Sequence, residues 1–284
     1  MPDFWRSAED PERVMHTSVT HWQEREYRQR EDLLTVEEPF EVRIGGRSLA
    51  VIMRTPGNDH ELAMGFLFTE GVITSADDVL SITDAVDEDG LPLANVVDVT
   101  LRSILQQESF KAQPTAFERH FAVSASCGLC GKNSIADLLI SVPPIEQMEP
   151  HILAGVLYEL PARLRPGQAV FTHTGGLHAA GLFSADGTLL LLREDVGRHN
   201  AVDKIIGYGL LQGSFPCTQH ILLVSGRTSF EIIQKALLAR IPCIAAISAP
   251  SSLAVETAQR FNMTLLGFVR DGRFNIYSGA SRIQ

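Results

Sequence analysis

The 284-residue chain lacks any apolar run of the ~18 residues that a membrane-crossing helix needs, so no transmembrane span is expected. Cysteine is scarce: four residues are too few for a disulfide framework in a chain of this length. Met1 to Arg30 hold no apolar segment of signal-peptide kind. These two features point to the reducing cytosol, and a cytoplasmic location is expected. An excess of basic charge is also missing. The formal net charge of −10 argues against general binding to nucleic acid or to anionic membrane. Neither a P-loop nor the dinucleotide-binding fingerprint occurs, so a nucleotide ligand has to be inferred from other features.

What is present is an ordinary globular composition, 45% hydrophobic and 20% charged, on a chain long enough for one large or two modest domains. The negative charge is uneven. The first 150 residues hold 26 acidic and 12 basic side chains, whereas residues 151–284 hold 8 acidic and 12 basic. A mildly basic C-terminal half suits a local anionic small-molecule site, and scatter of surface charge accounts for it equally well.

Three segments follow. Residues 1–30 are charged and without apolar periodicity, which predicts a flexible or loosely docked lead-in tethered by Trp5 and Trp22. Residues 31–112 predict a small α+β domain. Phe40 to Ile44, the turn signal Gly45-Gly46 and Leu49 to Met53 predict a hairpin. Asp59 predicts an N-cap for a helix from His60 to Thr69, and Val96 to Leu101 a further strand. His60 with Glu61 reads as a charged first helical turn in preference to a metal pair. Gln106 to Arg119 reads as the linker into the third segment, residues 113–284.

There the pattern tightens. A helix is predicted from His151 to Leu160, stopped by Pro161, and a strand from Ala169 to Thr172. Leu182-Phe183 and Leu189 to Leu192 read as strands, and Arg193 to Asn200 opens a helix to about Gly207. Strand–loop–helix then repeats. Ile221 to Val224 leads to a helix at 230–239, Cys243 to Ile247 to a helix at 253–261, and Thr264 to Val269 closes the series. Apolar strands alternating with helices indicate a sheet covered on both faces, where ligands bind beyond the strands' carboxyl ends. The loops 225–229, 248–252 and 270–273 fall there. Their Ser, Gly and Arg content suits a phosphate-bearing ligand and makes Ser225, Gly226, Arg227, Ser229 and Ser248 candidate binding residues. His178 and His199 join them as proton carriers or phosphate donors. The charged Arg193–Asn200 run reads equally as a salt-bridged helix start or as a ligand-facing segment.

The most reactive chemistry lies in Ser124–Asn133, where Cys127 and Cys130 stand at Cys-x-x-Cys spacing ahead of Lys132 and a helix-like run, Ser134 to Ile140. A helix start and a nearby cation favour thiolate over thiol. A carrier thiol, a redox pair and half of a zinc site remain open on these residues. Structural zinc wants four ligands, and Cys217 and Cys243 form no second pair; Cys243 reads as core, while a mixed site with His120 stays open. The βαβ context of a thioredoxin-like pair is missing. Zinc deaminase chemistry needs His-x-Glu, but Ala180 stands where the glutamate belongs after His178, so no metal is expected there.

Several runs together resemble the FdhD family of formate dehydrogenase accessory sulfurtransferases. They are Ser126-Cys127-Gly128-Leu129-Cys130-Gly131-Lys132, Thr174 to Ala180, and Arg193-Glu194-Asp195-Val196-Gly197-Arg198-His199-Asn200-Ala201-Val202-Asp203-Lys204, with Arg54-Thr55-Pro56-Gly57, Ser225 to Glu231 and Ser248 to Val255. The resemblance spans about residues 35–278. It implies an α/β protein with a C-terminal three-layer αβα domain of cytidine-deaminase-like type beside a smaller N-terminal α+β domain, assembled as a homodimer. It further implies a sulfur carrier that takes persulfide sulfur from a cysteine desulfurase. The sulfur would pass to the bis-molybdopterin guanine dinucleotide molybdenum cofactor, held as bound substrate, before insertion into formate dehydrogenase. GDP or GMP would serve as surrogate ligands. By the same resemblance Cys127 bears the persulfide, Cys130 assists, and the cofactor touches Phe268, Val269, Arg270, Asp271, Gly272 and Arg273. The alternative of a different class is a non-catalytic cofactor-delivery chaperone whose cysteines form a redox latch or hold zinc.

Overall fold

A computed structural model describes residues 12–103, 142–146 and 150–284. Cys127, Cys130, Lys132, His120, the linker from Gln106 to Arg119 and the helix expected over Ser134 to Ile140 lie outside the described residues.

The described chain begins with structure where a lead-in was expected. β1 (Val14–Gln23) and β2 (Glu26–Thr35) pair antiparallel along their full length as a two-stranded ribbon. Both faces of the ribbon are largely exposed, so its sequence carries no alternation of apolar and polar residues. Trp22 and Tyr27 do not tether it. Trp22, one of the two expected tethers, meets Tyr27 at a tilt at the ribbon's tip, 4.6 Å between ring centroids, with 54% and 77% of their surface exposed, while Trp5, the other, lies outside the described residues. The ribbon is held at its base, where the Thr35 hydroxyl donates to Thr174 Oγ1 at 2.8 Å and Arg13 donates to the Glu194 carbonyl.

β3 (Glu38–Ile44) and β4 (Arg47–Arg54) form the expected hairpin, with Gly45 and Gly46 both at positive φ. With β5 (Val79–Val86) and β6 (Pro92–Leu101) they make a four-stranded sheet of order β4-β3-β6-β5. α1 (Asp59–Thr69) packs on it through Leu62, Met64 and Leu67. Asp59 is not its N-cap. That place falls to Asn58, in the left-handed region at φ 60, while Arg54 donates two hydrogen bonds to the Asp59 carboxylate, at 3.0 and 2.9 Å.

The second sheet has six strands in the order β12-β11-β10-β9-β7-β8, formed by β7 (His178–Ser184), β8 (Leu189–Asp195), β9 (His220–Val224), β10 (Cys243–Ala246), β11 (Thr264–Arg270) and β12 (Arg273–Ser278). β9, β10 and β11 run parallel, while β7, β8 and β12 pair antiparallel with their neighbours. Both faces are covered, as the apolar strands imply. Leu222, Val224, Ile244 and Leu265 share a core with four of the helices, while Ile221, Leu223, Cys243 and Leu266 pack under another. That other helix is α2 (Ala154–Leu164), which presents Leu157, Leu160 and Leu164 and runs on through Pro161. Burial of its leucine stripe outweighs the lost backbone bond at the proline, so the expected stop at Leu160 does not occur. Ala169 to Thr174 form a short helix, α3, and not a strand; the Glu194 carboxylate accepts from its Val170 and Phe171 amides at 3.2 and 3.0 Å. A β-like run of Ala, Val, Phe and Thr is overridden by a cap that arrives from a distant strand.

α4 (Arg198–Leu211), α5 (Phe230–Leu238) and α6 (Ser252–Arg260) complete the opposite face. α4 crosses α1 at glycine on both sides. A methyl on Gly65 would collide with the Asp203 carbonyl, and one on Gly207 with the Glu61 carbonyl. The two sheets therefore share one continuous apolar core, running from Phe40 and Val99 through α1 and α4 to Val224.

Candidate functional site

The parallel strands β9, β10 and β11 end on one edge, and their loops are stitched together there. Thr228 N donates to the Ala249 carbonyl at 3.2 Å, Ser251 N to the Thr228 carbonyl at 2.9 Å, and Phe268 N to the Ser248 carbonyl at 3.2 Å. Beyond Gly267 the β11–β12 register slips, with Phe268 at φ 55 and Asp271 at φ 53. The slip leaves Arg270, Asp271, Gly272 and Arg273 exposed at the turn, the Arg270 guanidinium 5.8 Å above the Phe268 ring. Val269 is fully buried between the sheet and α2, so its side chain is used for packing.

β7 runs the other way, so its first residue, His178, reaches the same edge, opposite Asp195 on β8. Ser225 Oγ accepts from the Ala179 amide at 2.9 Å, which fixes the loop start against β7. Gly226 follows, and two side chains rest on its backbone. A methyl there would lie 3.3 Å from His178 Nδ1 and 3.4 Å from Arg198 Cδ, tighter than ordinary contact. Arg198 is the first residue of α4, and its Nε is buried without a hydrogen-bond partner among the described residues. Burial, followed by the charges of Arg198 and His199, pushes the His178 pKa down, so its imidazole is neutral at pH 7. His199 Nε2 lies 3.3 Å from Ser229 Oγ and 3.7 Å from the Glu231 carboxylate. The His199 side chain in turn holds Glu231 down at about 2.

The charged run 193–204 divides between structure and site. Arg193 grips Glu61 of α1 through two bonds of 2.6 and 2.7 Å. Fully buried Asp195 pairs with fully buried Lys204 at 2.8 Å and also accepts from Gly197 N and Asn200 Nδ2, each at 2.8 Å. Lys204 continues to the Thr55 carbonyl at 3.0 Å, and the Thr55 hydroxyl accepts from Val196 N. Asp195 and Glu231 are thus already engaged. Arg198 and Arg227 have no ion pair among the described residues, leaving an edge of His178, Arg198, His199 and Arg227 that favours an anion. Arg198 was not among the residues singled out from the sequence. Its neighbours share its charge pattern, and only the fold separates the one that faces the edge.

Cys217 and Cys243 are both buried, and burial pushes their thiols up to about 11 and about 12, so both stay protonated. Among the described residues no group of three His, Cys, Asp or Glu side chains is placed to hold a metal ion. His60 pairs with Asp84 at 3.0 Å and Glu61 with Arg193, so these two are not a metal pair. No described helix is long and apolar enough to cross a membrane.

The fold and the edge define a mixed α/β protein with an anion-suited rim at the carboxyl ends of its parallel strands. The chain belongs to the FdhD/NarQ family, whose family model matches residues 35–284. It is 48% identical over 258 residues to the sulfur carrier protein FdhD of Nocardia farcinica, covering 90% of this chain and 89% of that one. It is 42% identical over 278 residues to that of Mycobacterium tuberculosis, covering 94% and 98%. With the sulfur carrier protein FdhD of Sulfurisphaera tokodaii it shares 43% over 256 residues, covering 89% and 92%. A crystal structure described as a formate dehydrogenase accessory protein from Desulfotalea psychrophila superposes with a TM-score of 0.73 at 21% identity, covering 96% of this chain and 100% of that one, a likeness of fold.

Proposed function

We propose that this protein is a sulfur carrier that serves formate dehydrogenase as an accessory protein and acts as a sulfurtransferase on its molybdenum cofactor. The observation that carries the reading is the rim: loops of three parallel strands joined edge to edge, with Arg198, Arg227, His178 and His199 beside them and the Asp195 and Glu231 carboxylates already engaged by Lys204 and His199. Such an edge suits the phosphates of a guanine dinucleotide cofactor held as cargo, with Ser225, Gly226, Arg227, Ser229, Ser248 and the 268–273 turn as its surroundings. Kinship to sulfur carrier proteins supplies the sulfur chemistry.

In this reading the Cys127 thiolate attacks the outer sulfur of a cysteine desulfurase persulfide and releases the desulfurase thiolate. The Cys127 S–S bond would then break, Cys127 leaving as the thiolate, and the outer sulfur would pass to the cofactor as substrate, whose reduced molybdenum supplies the two electrons that bring it to the sulfide level, with Cys130 assisting, before the cofactor enters formate dehydrogenase. The protein works as a cytoplasmic homodimer. The test is mass spectrometry after incubation with a cysteine desulfurase and cysteine. The wild-type chain and the Cys130→Ala variant should gain one sulfur, and Cys127→Ala should gain none while melting like wild type. An extra sulfur on folded Cys127→Ala would end the assignment, and stoichiometric zinc on the purified protein would favour a metal latch instead.

A further inference from the structure

One guanidinium on the rim differs from the rest. Arg270, Arg273 and Arg227 are exposed, where water and salt weaken any bond they make to an anion. Arg198 is partly buried at the start of α4, lies against Gly226, and holds its Nε out of water with no acceptor among the described residues. Thr228 Oγ1, fully buried in the adjoining loop, is a second hydroxyl or N–H donor on this edge without a partner among the described residues. Native proteins seldom leave such donors unmet, and a guanidinium N–H is best met by an oxyanion. The nearby acids are committed elsewhere, Asp195 to Lys204 at 2.8 Å and Glu231 to the His199 ring at 3.7 Å. Among the described residues no acceptor is left over for these donors, and an anion from outside would supply one.

We infer that Arg198, together with His178 on the backbone of Gly226, seats a phosphate group of the ligand. The seat places the diphosphate over the β7–β9 junction, and the exposed Arg270 and Arg273 attract the ligand without holding it. Gly226 belongs to the seat because a side chain there would push His178 and Arg198 apart. The inference rests on the nucleotide-cofactor reading for the ligand's identity; the seat itself asks only for an oxyanion.

Titration calorimetry on the full chain tests it with two probes, inorganic pyrophosphate and GDP. Wild type should bind both, GDP more tightly. Arg198→Ala should weaken both by about tenfold or more, whereas the double variant Arg270→Ala with Arg273→Ala should weaken pyrophosphate by less. Arg198→Lys, which keeps the charge and loses the fork, should fall between them. Gly226→Ala should reproduce the loss seen in Arg198→Ala, and it decides the matter if Arg198→Ala melts early. Unchanged pyrophosphate affinity in a folded Arg198→Ala or Gly226→Ala variant overturns the seat. Arg198-dependent pyrophosphate binding with no gain for GDP keeps the seat and removes the guanine reading. Failure of wild type to bind either probe overturns both.

Discussion

At the scale of single residues, Lys204 carries the largest electrostatic stake. It and Asp195 are both fully buried, and each has further partners that complete its hydrogen bonding. Removing one member of such a pair leaves a bare charge in the core and costs about 3–5 kcal/mol. Lys204→Met should therefore lower unfolding stability by about that amount in urea titration. The conserved side-chain volume separates this loss from a cavity effect. His178 gives a pH signature. Burial holds its pKa below the ordinary 6.5, so the unfolded chain takes up its proton first on acidification. Its contribution to stability is present above about 6.5 and is lost as pH falls through the depressed value. His220, also depressed by burial, acts in the same direction. The urea midpoint should fall from pH 7.5 to pH 5.5, and His178→Gln should flatten that fall in part, with His220 supplying the remainder.

At the scale of elements, the α1–α4 crossing depends on the absence of two side chains. Gly65→Ala or Gly207→Ala forces a methyl against backbone that cannot swing aside, which should cost about 3 kcal/mol, the upper end of overpacking effects. Gly155→Ala is the control: its nearest neighbour would be the Tyr158 hydroxyl at 3.8 Å, and the same change on α2 should be neutral or slightly stabilising in thermal melts. Elements also show what the sequence made legible. The β3–β4 hairpin and the β9–α5–β10–α6–β11 series stand out because apolar runs and turn residues agree locally with the fold. The β1–β2 ribbon did not stand out, because a strand exposed on both faces has no pattern to read. α3 was hidden because its cap, Glu194, comes from another strand. The rim loops were legible from their place after buried strands. The split of the 193–204 run was not, since it depends on Glu61 and Thr55, which lie 132 and 149 residues away in sequence from Arg193 and Lys204.

At the scale of the whole molecule, the small sheet and the large one are joined by the glycine crossing, by the grip of Arg193 on Glu61 and by the polar joint from Thr55 to Asp195, Lys204 and Asn200. Asn200 reaches back to the Met53 carbonyl at 2.8 Å, so the end of β4 is gripped by the helix that presents Arg198 and His199. The rim is therefore not the property of the C-terminal segment that supplies its loops. A fragment begun after the first sheet would leave Lys204 without its carbonyl and the flank of α4 bare, and the edge that carries Arg198 and His199 would lose its frame along with its stability. The two sheets share one apolar core and one polar joint, and a change at Met53 or Thr55, far along the chain from the rim loops, should be felt at the start of the helix that presents Arg198 and His199.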